Sequence, residues 1–460
     1  MEDSKIISLA MDGGADYAEI RYGSKRGTLM EIQGDEVKSA SYGEDSGASV
    51  RVLYGGAWGF YSTSDLTDSG LKQAVETALK LAKVSAAGVK EKAVLADVPP
   101  ATGKEIWAPK KNAMDIPIED KRDLLLDIAK AVKEVEKIHS ITTGYGDSIE
   151  MQHVVNSQGT DIYTEVSRTY ARARIIARDG GDIVGFVASA GGTGGYEVFD
   201  LSDPIEHFVE SARSAARILT AEPTPSGKFP VVTDPDLTGV FAHEALGHAT
   251  EADLVQSGSS CLAGKIGEKI GNDIVTIVDD PTLPNIYGSF PYDAEGVRAK
   301  RKVLVDKGVL RSYIVNRETA ARYGIEPNGG ARAESYAHRP IVRMSNTFIE
   351  NGDHSFEELI EDIKYGIYAK GSRGGQVDTT RGSFQFSAEE AFLIENGEVT
   401  RPLKDVSLSG MTLEILKMID AVGNDLRLSS PGNCGKGQWV PVSDGGPHVR
   451  IQGAVIGGGQ

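Results

Sequence analysis

Between residues 20 and 63 the chain alternates short β-favouring runs with Gly-, Asp- and Asn-type turn signals, and from 65 to 86 its hydrophobic period changes. There Leu71, Ala74, Val75, Ala78, Leu79 and Ala82 recur at helical spacing, as the buried face of an amphipathic helix requires. The same order returns further on. Residues 119–139 read as a second amphipathic helix, 140–198 as another set of strands, and a third helix is expected near 203–220. Strands followed by a helix occur twice over. That order fits an internal duplication, or simply one α+β domain with a meandering sheet. The Pro-containing stretch at 98–117 reads as a connector with extended parts.

LTAEPTPSGKFP, residues 219–230, has the Pro, Gly and Ser content of a domain boundary. We therefore expect an N-terminal α+β domain over 1–222, with antiparallel meanders and flanking helices, and a strand-rich C-terminal domain over 228–460. In the second, FPVVTD reads as a strand feeding directly into a helix. Most of the rest is β, with DKG and ENGE as hairpin turns. The 54 glycines of the 460 residues suit many strand turns better than long helices.

The helix after FPVVTD carries the chemistry. Asp234 can cap its first amides, Pro235 suits the first helical position, and Leu237, Val240 and Phe241 supply an apolar face. FAHEALGHATEAD, residues 241–253, then presents His243, Glu244 and His248. The familiar zinc-protease signature is H-E-x-x-H, with one residue fewer. On a regular α-helix, residues four apart differ by roughly 40° around the axis and residues five apart by about 140°. The extra residue therefore predicts a distorted helix, in which an i→i+5 turn returns His248 to the face of His243. Gly247 permits that distortion. The plain alternative is a capped surface helix with incidental histidines.

A catalytic zinc site needs a third protein ligand and leaves a fourth position open. His139, His153, His207, His338, His354 and His448 remain, but Cys434 is the stronger candidate. It lies between glycines in GNCGKG, where backbone can approach an ion closely, and a thiolate is a strong zinc ligand. Taken alone it is also readable as an ordinary loop thiol.

Net charge bears on partners. At −17, with no dominant Lys/Arg cluster, the chain does not look like a nucleic-acid binder. Two cysteines, no apolar run of membrane-spanning length and an acidic start without an apolar core lead us to expect a cytoplasmic protein with free thiols.

FAHEALGHATEADL, RAESYAHRPIVRMSNT, KYGIYAKGSRGGQVDTTRGSFQFSAEEAFLIENGEVT, AVGNDL and GNCGKGQWVPV together resemble the TldD branch of the TldD/PmbA metalloproteases. The likeness is densest from 228 to 445. It implies a zinc-dependent peptidase with His243, His248 and Cys434 as ligands and Glu244 as general base. It also implies a homodimer, or a heterodimer with a PmbA-like subunit that itself lacks the motif. His338, in a matched segment, is the candidate oxyanion donor, with a core or hairpin histidine as its alternative. Arg339 and Arg343 either anchor a substrate carboxylate or pair with acidic residues. GGQVDTTRG, residues 374–382, is readable as a sheet edge for an extended peptide, a gating loop or a buried hairpin. Two other readings stand beside the peptidase: a non-catalytic assembly subunit with structural zinc, and a regulator of the DNA gyrase pathway. Structural zinc usually has four protein ligands, and only three are nominated.

Overall fold

A computed structural model describes residues 3–201, 203–428 and 431–457 of the chain. Its first half uses one arrangement twice. The helix Asp3–Asp12 leads into strands Tyr17–Gln33, Glu36–Tyr54 and Ala57–Thr63 and then the helix Asp68–Ala86. The helix Ile118–Lys133 leads into strands Ile138–Asn156, Asp161–Asp179 and Asp182–Thr193 and then the helix Pro204–Ile218. Each set is an antiparallel meander, and the two join through their first strands, antiparallel, into one sheet. The connector adds a seventh strand, Thr102–Trp107, parallel to the start of Asp161–Asp179. The fold is α+β, as the alternating pattern required.

Helix faces follow the period. Leu71, Ala74, Val75, Ala78 and Ala82 are buried against the first meander, and Leu125, Ile128, Ala129 and Val132 against the second. Each large aliphatic so buried contributes about 1.5–3 kcal/mol, so one polar substitution at Ile128 removes a large share of that contact. The second helix ends at Lys133, earlier than its pattern suggests, because Lys137 takes a left-handed turn (φ 68°) into the next strand.

Glycine behaves in two ways. At Gly55-Gly56, Lys307-Gly308 and Asn396-Gly397 both residues of a two-residue hairpin have positive φ, the geometry that continues strand twist. Within residues 20–63, however, the expected short runs are long strands that pass straight through Gly23, Gly27, Gly43 and Gly47. Two of these mark close approach: a Cβ on Gly27 would lie 2.0 Å from the Asp147 carbonyl, and one on Gly47 would lie 2.3 Å from the Tyr336 ring.

The second half has two large sheets. In the ten-stranded one, Gly227–Thr233 lies between Val449–Gly457 (antiparallel) and Tyr365–Lys370 (parallel). The seven-stranded one includes Ile277–Asp279, Lys302–Asp306, Asn346–Ile349 and Trp439–Gly446. The motif helix sits in the main core, where Leu237, Phe241, Ala242, Ala245, Leu246 and Ala249 pack with Ile367, Phe384 and Ile451. The segment between the halves contributes the short strand Glu222–Pro223, paired to Glu398–Lys404. Buried polar bonds tie the halves: Arg51 bridges Glu19 at 2.7 Å and Glu295 at 2.9 Å, and Arg317 donates to the Ala96 carbonyl and Gln158. Among the described residues no helix is long and apolar enough to cross a membrane.

Candidate metal centre

Asp234 caps the motif helix as its sequence suggests, Oδ1 accepting from Leu237 N at 2.9 Å and from Gly371 N at 3.0 Å, with Pro235 in the first turn. The helix runs regularly over Pro235–Val240 and then widens into a π-helix over Phe241–Gly247. His248 N–H donates to the His243 carbonyl, five residues back, so the extra residue is absorbed by the expected i→i+5 turn. The His243 and His248 rings consequently meet edge to face, with centroids 5.3 Å apart. Gly247 does more than permit distortion: a Cβ there would lie 2.1 Å from Met344 Sδ. Thr250 Oγ1 donates to the Gly247 carbonyl at 2.7 Å and satisfies one acceptor freed where the helix ends.

One strand brings in the thiol. Trp439–Gly446 lies against the motif helix so closely that a Cβ on Gly239 would stand 2.4 Å from Gly445 N. The same strand pairs with Gly432–Gly435, setting Cys434 opposite Val440. Arg343, buried, donates to the carbonyls of Cys434 and Gln438, both at 2.6 Å, and fixes that hairpin. Arg343 is thus a scaffold group, in line with the pairing alternative. Lys436 adds a second lock, reaching Asp253, Glu251 and the Val342 carbonyl.

His243 Nε2 lies 3.2 Å and His248 Nε2 3.3 Å from Cys434 Sγ, and all three residues are buried. Burial raises the Cys434 thiol, but hydrogen bonds and charge from the two histidines outweigh it and hold the group at about 5. Burial likewise lowers both imidazoles, yet Cys434 raises His243, and Glu251 together with Cys434 raises His248 well above its ordinary value. The thiol is thus favoured as thiolate between the two imidazoles. Two nitrogens and one soft sulfur converging in this way form a zinc donor set. With Zn–S of about 2.3 Å and Zn–N of about 2.0 Å, the S···N edge of a tetrahedron is roughly 3.5 Å, so the two S···N edges suit that ion after a few tenths of an ångström of expansion, and all three ligand atoms lie within 4.8 Å of one another.

Glu244 is the open member of the group. Its side chain is 36% exposed, and its Oε2 lies 3.9 Å from His248 Nε2, the nitrogen that faces the thiol. Glu251 is the residue that sequence reasoning passed over. Fully buried, it accepts from His248 Nδ1 at 2.8 Å, and Lys436 and Arg343 lie 3.1 and 3.8 Å away. Burial opposes its charge, but His248 and Lys436 hold it down at about 2. A carboxylate behind a ligating imidazole fixes its tautomer and orientation. The signal was present: an acid three residues after the second histidine, on the same short turn. His338 is not brought to the cluster. Its Nδ1 meets Ser335 Oγ at 2.9 Å, and its carbonyl accepts from Arg21, in a loop that rests on the first sheet.

A buried His–His–Cys donor set beside a partly exposed glutamate, on an α+β scaffold, makes a candidate metal centre. Family models described as PmbA/TldA metallopeptidase domain 1, central domain and C-terminal domain match residues 18–82, 111–221 and 226–458. The first two matches fall on the two repeated units of the first sheet. A metalloprotease from Methanothermobacter thermautotrophicus is 45% identical, covering 98% of each chain. A zinc metalloprotease TldD homolog from Saccharolobus solfataricus is 31% identical, covering 99% of each. The structure of TldE from Thermococcus kodakarensis shares the fold, with a TM-score of 0.79 over 99% of this chain and 100% of that one at 23% identity. The chain belongs to the PmbA/TldD metallopeptidase family and resembles its TldD members.

Proposed function

We propose that this chain is a zinc-dependent peptidase that hydrolyses extended or unfolded peptides. One observation carries the reading: His243 Nε2 and His248 Nε2 converge on Cys434 Sγ at 3.2 and 3.3 Å beside the exposed Glu244 carboxylate. Zinc held by His243, His248 and Cys434 would polarise a scissile carbonyl and acidify a water molecule. Glu244 takes the proton of the attacking water and passes it to the departing amine, as the one ionisable group of the cluster open to solvent. Glu251 keeps the His248 ring turned so that Nε2 faces the thiol. No described contact supports an oxyanion role for His338.

Gly375–Asp378, within GGQVDTTRG, is an outermost strand of the ten-stranded sheet and lies beside the π-helix. That placement supports the sheet-edge alternative, in which an extended peptide adds as a further strand through main-chain hydrogen bonds. Exposed Val37 and Tyr42, on the strand Glu36–Tyr54, support assembly with a second copy or a PmbA-like subunit. Glu244→Gln tests the reading. The variant should keep stoichiometric zinc and its fold while peptide cleavage is lost, as read by metal analysis and hydrolysis of a labelled peptide. Loss of the zinc as well would make Glu244 a ligand and overturn its assignment as proton acceptor.

A further inference from the structure

A cavity of about 700 Å³ lies between the first sheet and the second half of the chain. Arg21 on one wall and Arg332 on the other are 3% and 7% exposed. Among the described residues neither has a carboxylate within 4.0 Å. Arg21 donates Nη2 to the Ser335 and His338 carbonyls, and its Nε has no partner. Arg332 donates Nη1 to the Met344 carbonyl at 2.7 Å and stacks over Phe290 at 4.9 Å. The other buried charges on the walls have partners, and Glu334 accepts from Trp439 N at 2.7 Å. Glu150 is shared by Arg168 and Lys25, Asp147 is paired with Lys121, and Asp293 accepts from backbone amides. Glu44 and Asp45 lie at the exposed rim.

Two buried guanidinium groups with only carbonyls for partners are costly unless an anion completes them. Burial above all pushes Arg332 down to about 9 and Arg21 to about 10, while Asp279 and Glu150 pull Arg332, and Glu19 pulls Arg21, part of the way back. The cavity reaches the strand that carries Cys434, although no residue of the metal centre lines it. Cys434 points into the cluster, while Asn433, on the opposite face of the same strand, lines the cavity with the exposed Trp439. Beyond its pairing with Trp439–Gly446, Gly432–Gly435 has no strand on its other edge among the described residues. Apolar Leu29 and Trp439 suit a peptide better than a bare inorganic ion.

We propose that this cavity is a carboxylate-recognition site, in which Arg21 and Arg332 hold a carboxylate of the peptide substrate lying across the Cys434 strand. The proposal rests on the peptidase reading for the nature of its ligand. The carboxylate has two sources, the peptide's C-terminus or an Asp or Glu side chain.

The test uses the full-length, zinc-loaded Glu244→Gln protein and three labelled peptides of one neutral sequence: the free acid, its C-terminal amide, and the amide with one internal Glu. Binding is read by fluorescence anisotropy. One or both carboxylate peptides should bind about 10- to 100-fold more tightly than the neutral amide, the range of a charge-assisted pair. Which one does so identifies the source. Adding Arg332→Met or Arg21→Met should erase the advantage, while Arg332→Lys restores part of it. Equal affinity for all three peptides overturns the proposal, and this comparison needs no arginine variant to fold. An advantage that survives both arginine substitutions overturns it too. Cleavage of the neutral amide by the unsubstituted zinc protein is scored separately. If cleavage fails while the advantage stands, only the peptidase reading falls; the converse sinks only the carboxylate site.

Discussion

Replacing Gly247 by alanine puts a methyl group 2.1 Å from Met344 Sδ and 3.3 Å from the Ala242 carbonyl. Comfortable contact needs about 3.5–4.0 Å, so the sulfur must retreat by roughly 1.5 Å. Met344 is fully buried in a cluster with Leu304, Ile314, Val342, Val440, Val442 and Cys434, which leaves it little room. Overpacking of this kind costs about 1–3 kcal/mol, against a gain of up to about 1 kcal/mol from removing a helical glycine. The expected net loss is therefore about 1–2 kcal/mol in urea unfolding of the metal-free protein. Zinc affinity should fall about tenfold as well, because 1.4 kcal/mol transmitted through Met344 to Cys434 is a tenfold effect. Met344→Ala alone is costly, but in that background Gly247→Ala should be nearly neutral, giving a coupling above about 1 kcal/mol. Stability within about 0.5 kcal/mol of the native protein and unchanged zinc affinity for the single variant would refute the packing argument.

Cys434→Ser should weaken zinc, measured against a chelating indicator, by more than the roughly 10- to 100-fold that loss of an outer partner costs. Stoichiometric zinc with full activity would place the third ligand elsewhere. Glu251→Gln should cost about 10- to 100-fold in the same titration, since His248 loses its buried carboxylate. Affinity unchanged there would reduce Glu251 to a hairpin anchor. At Glu389, burial first and then Asp236 and Asp234 raise the carboxyl to about 8. The folded chain then keeps a proton that the unfolded chain releases between about pH 4.5 and 8, so stability falls as pH rises through that window. Glu389→Gln should flatten this slope, adding on the order of a few kcal/mol at pH 8 and little at pH 4. An unchanged slope in pH-dependent denaturation argues against the raised carboxyl.

Local rules were legible wherever a short segment decides its own geometry. Asp234 and Pro235 announced a helix start, the H-E-x-x-x-H spacing demanded an i→i+5 turn, and DKG and ENGE became two-residue hairpins. Where distant backbone sets the constraint, the pattern misled. Gly23, Gly27, Gly43 and Gly47 look like turns in one dimension, yet they lie inside strands, two of them where other parts of the chain come close. The site divides in the same way. His243, Glu244 and His248 share one helix, so their proximity follows from spacing. Cys434 reaches them only through the Trp439–Gly446 strand; its glycine-flanked thiol marked it as a candidate, and likeness to a family singled it out, but no spacing could place it. Glu251 and Arg343 were obscure because their roles exist only once the hairpin lies over the helix.

The path through the chain from His243 to Cys434 spans 191 positions. An ion gripping both is therefore a tether that closes a ring through most of the second half. Unlike a disulfide, such an ion would stabilise the fold through its affinity for the assembled site, which the unfolded chain does not offer. Stripping the ion releases the ring while leaving the first sheet's own meander intact. Limited proteolysis after chelation should open the segment around Gly432–Gly435 first, with the first 200 or so residues persisting as a resistant fragment.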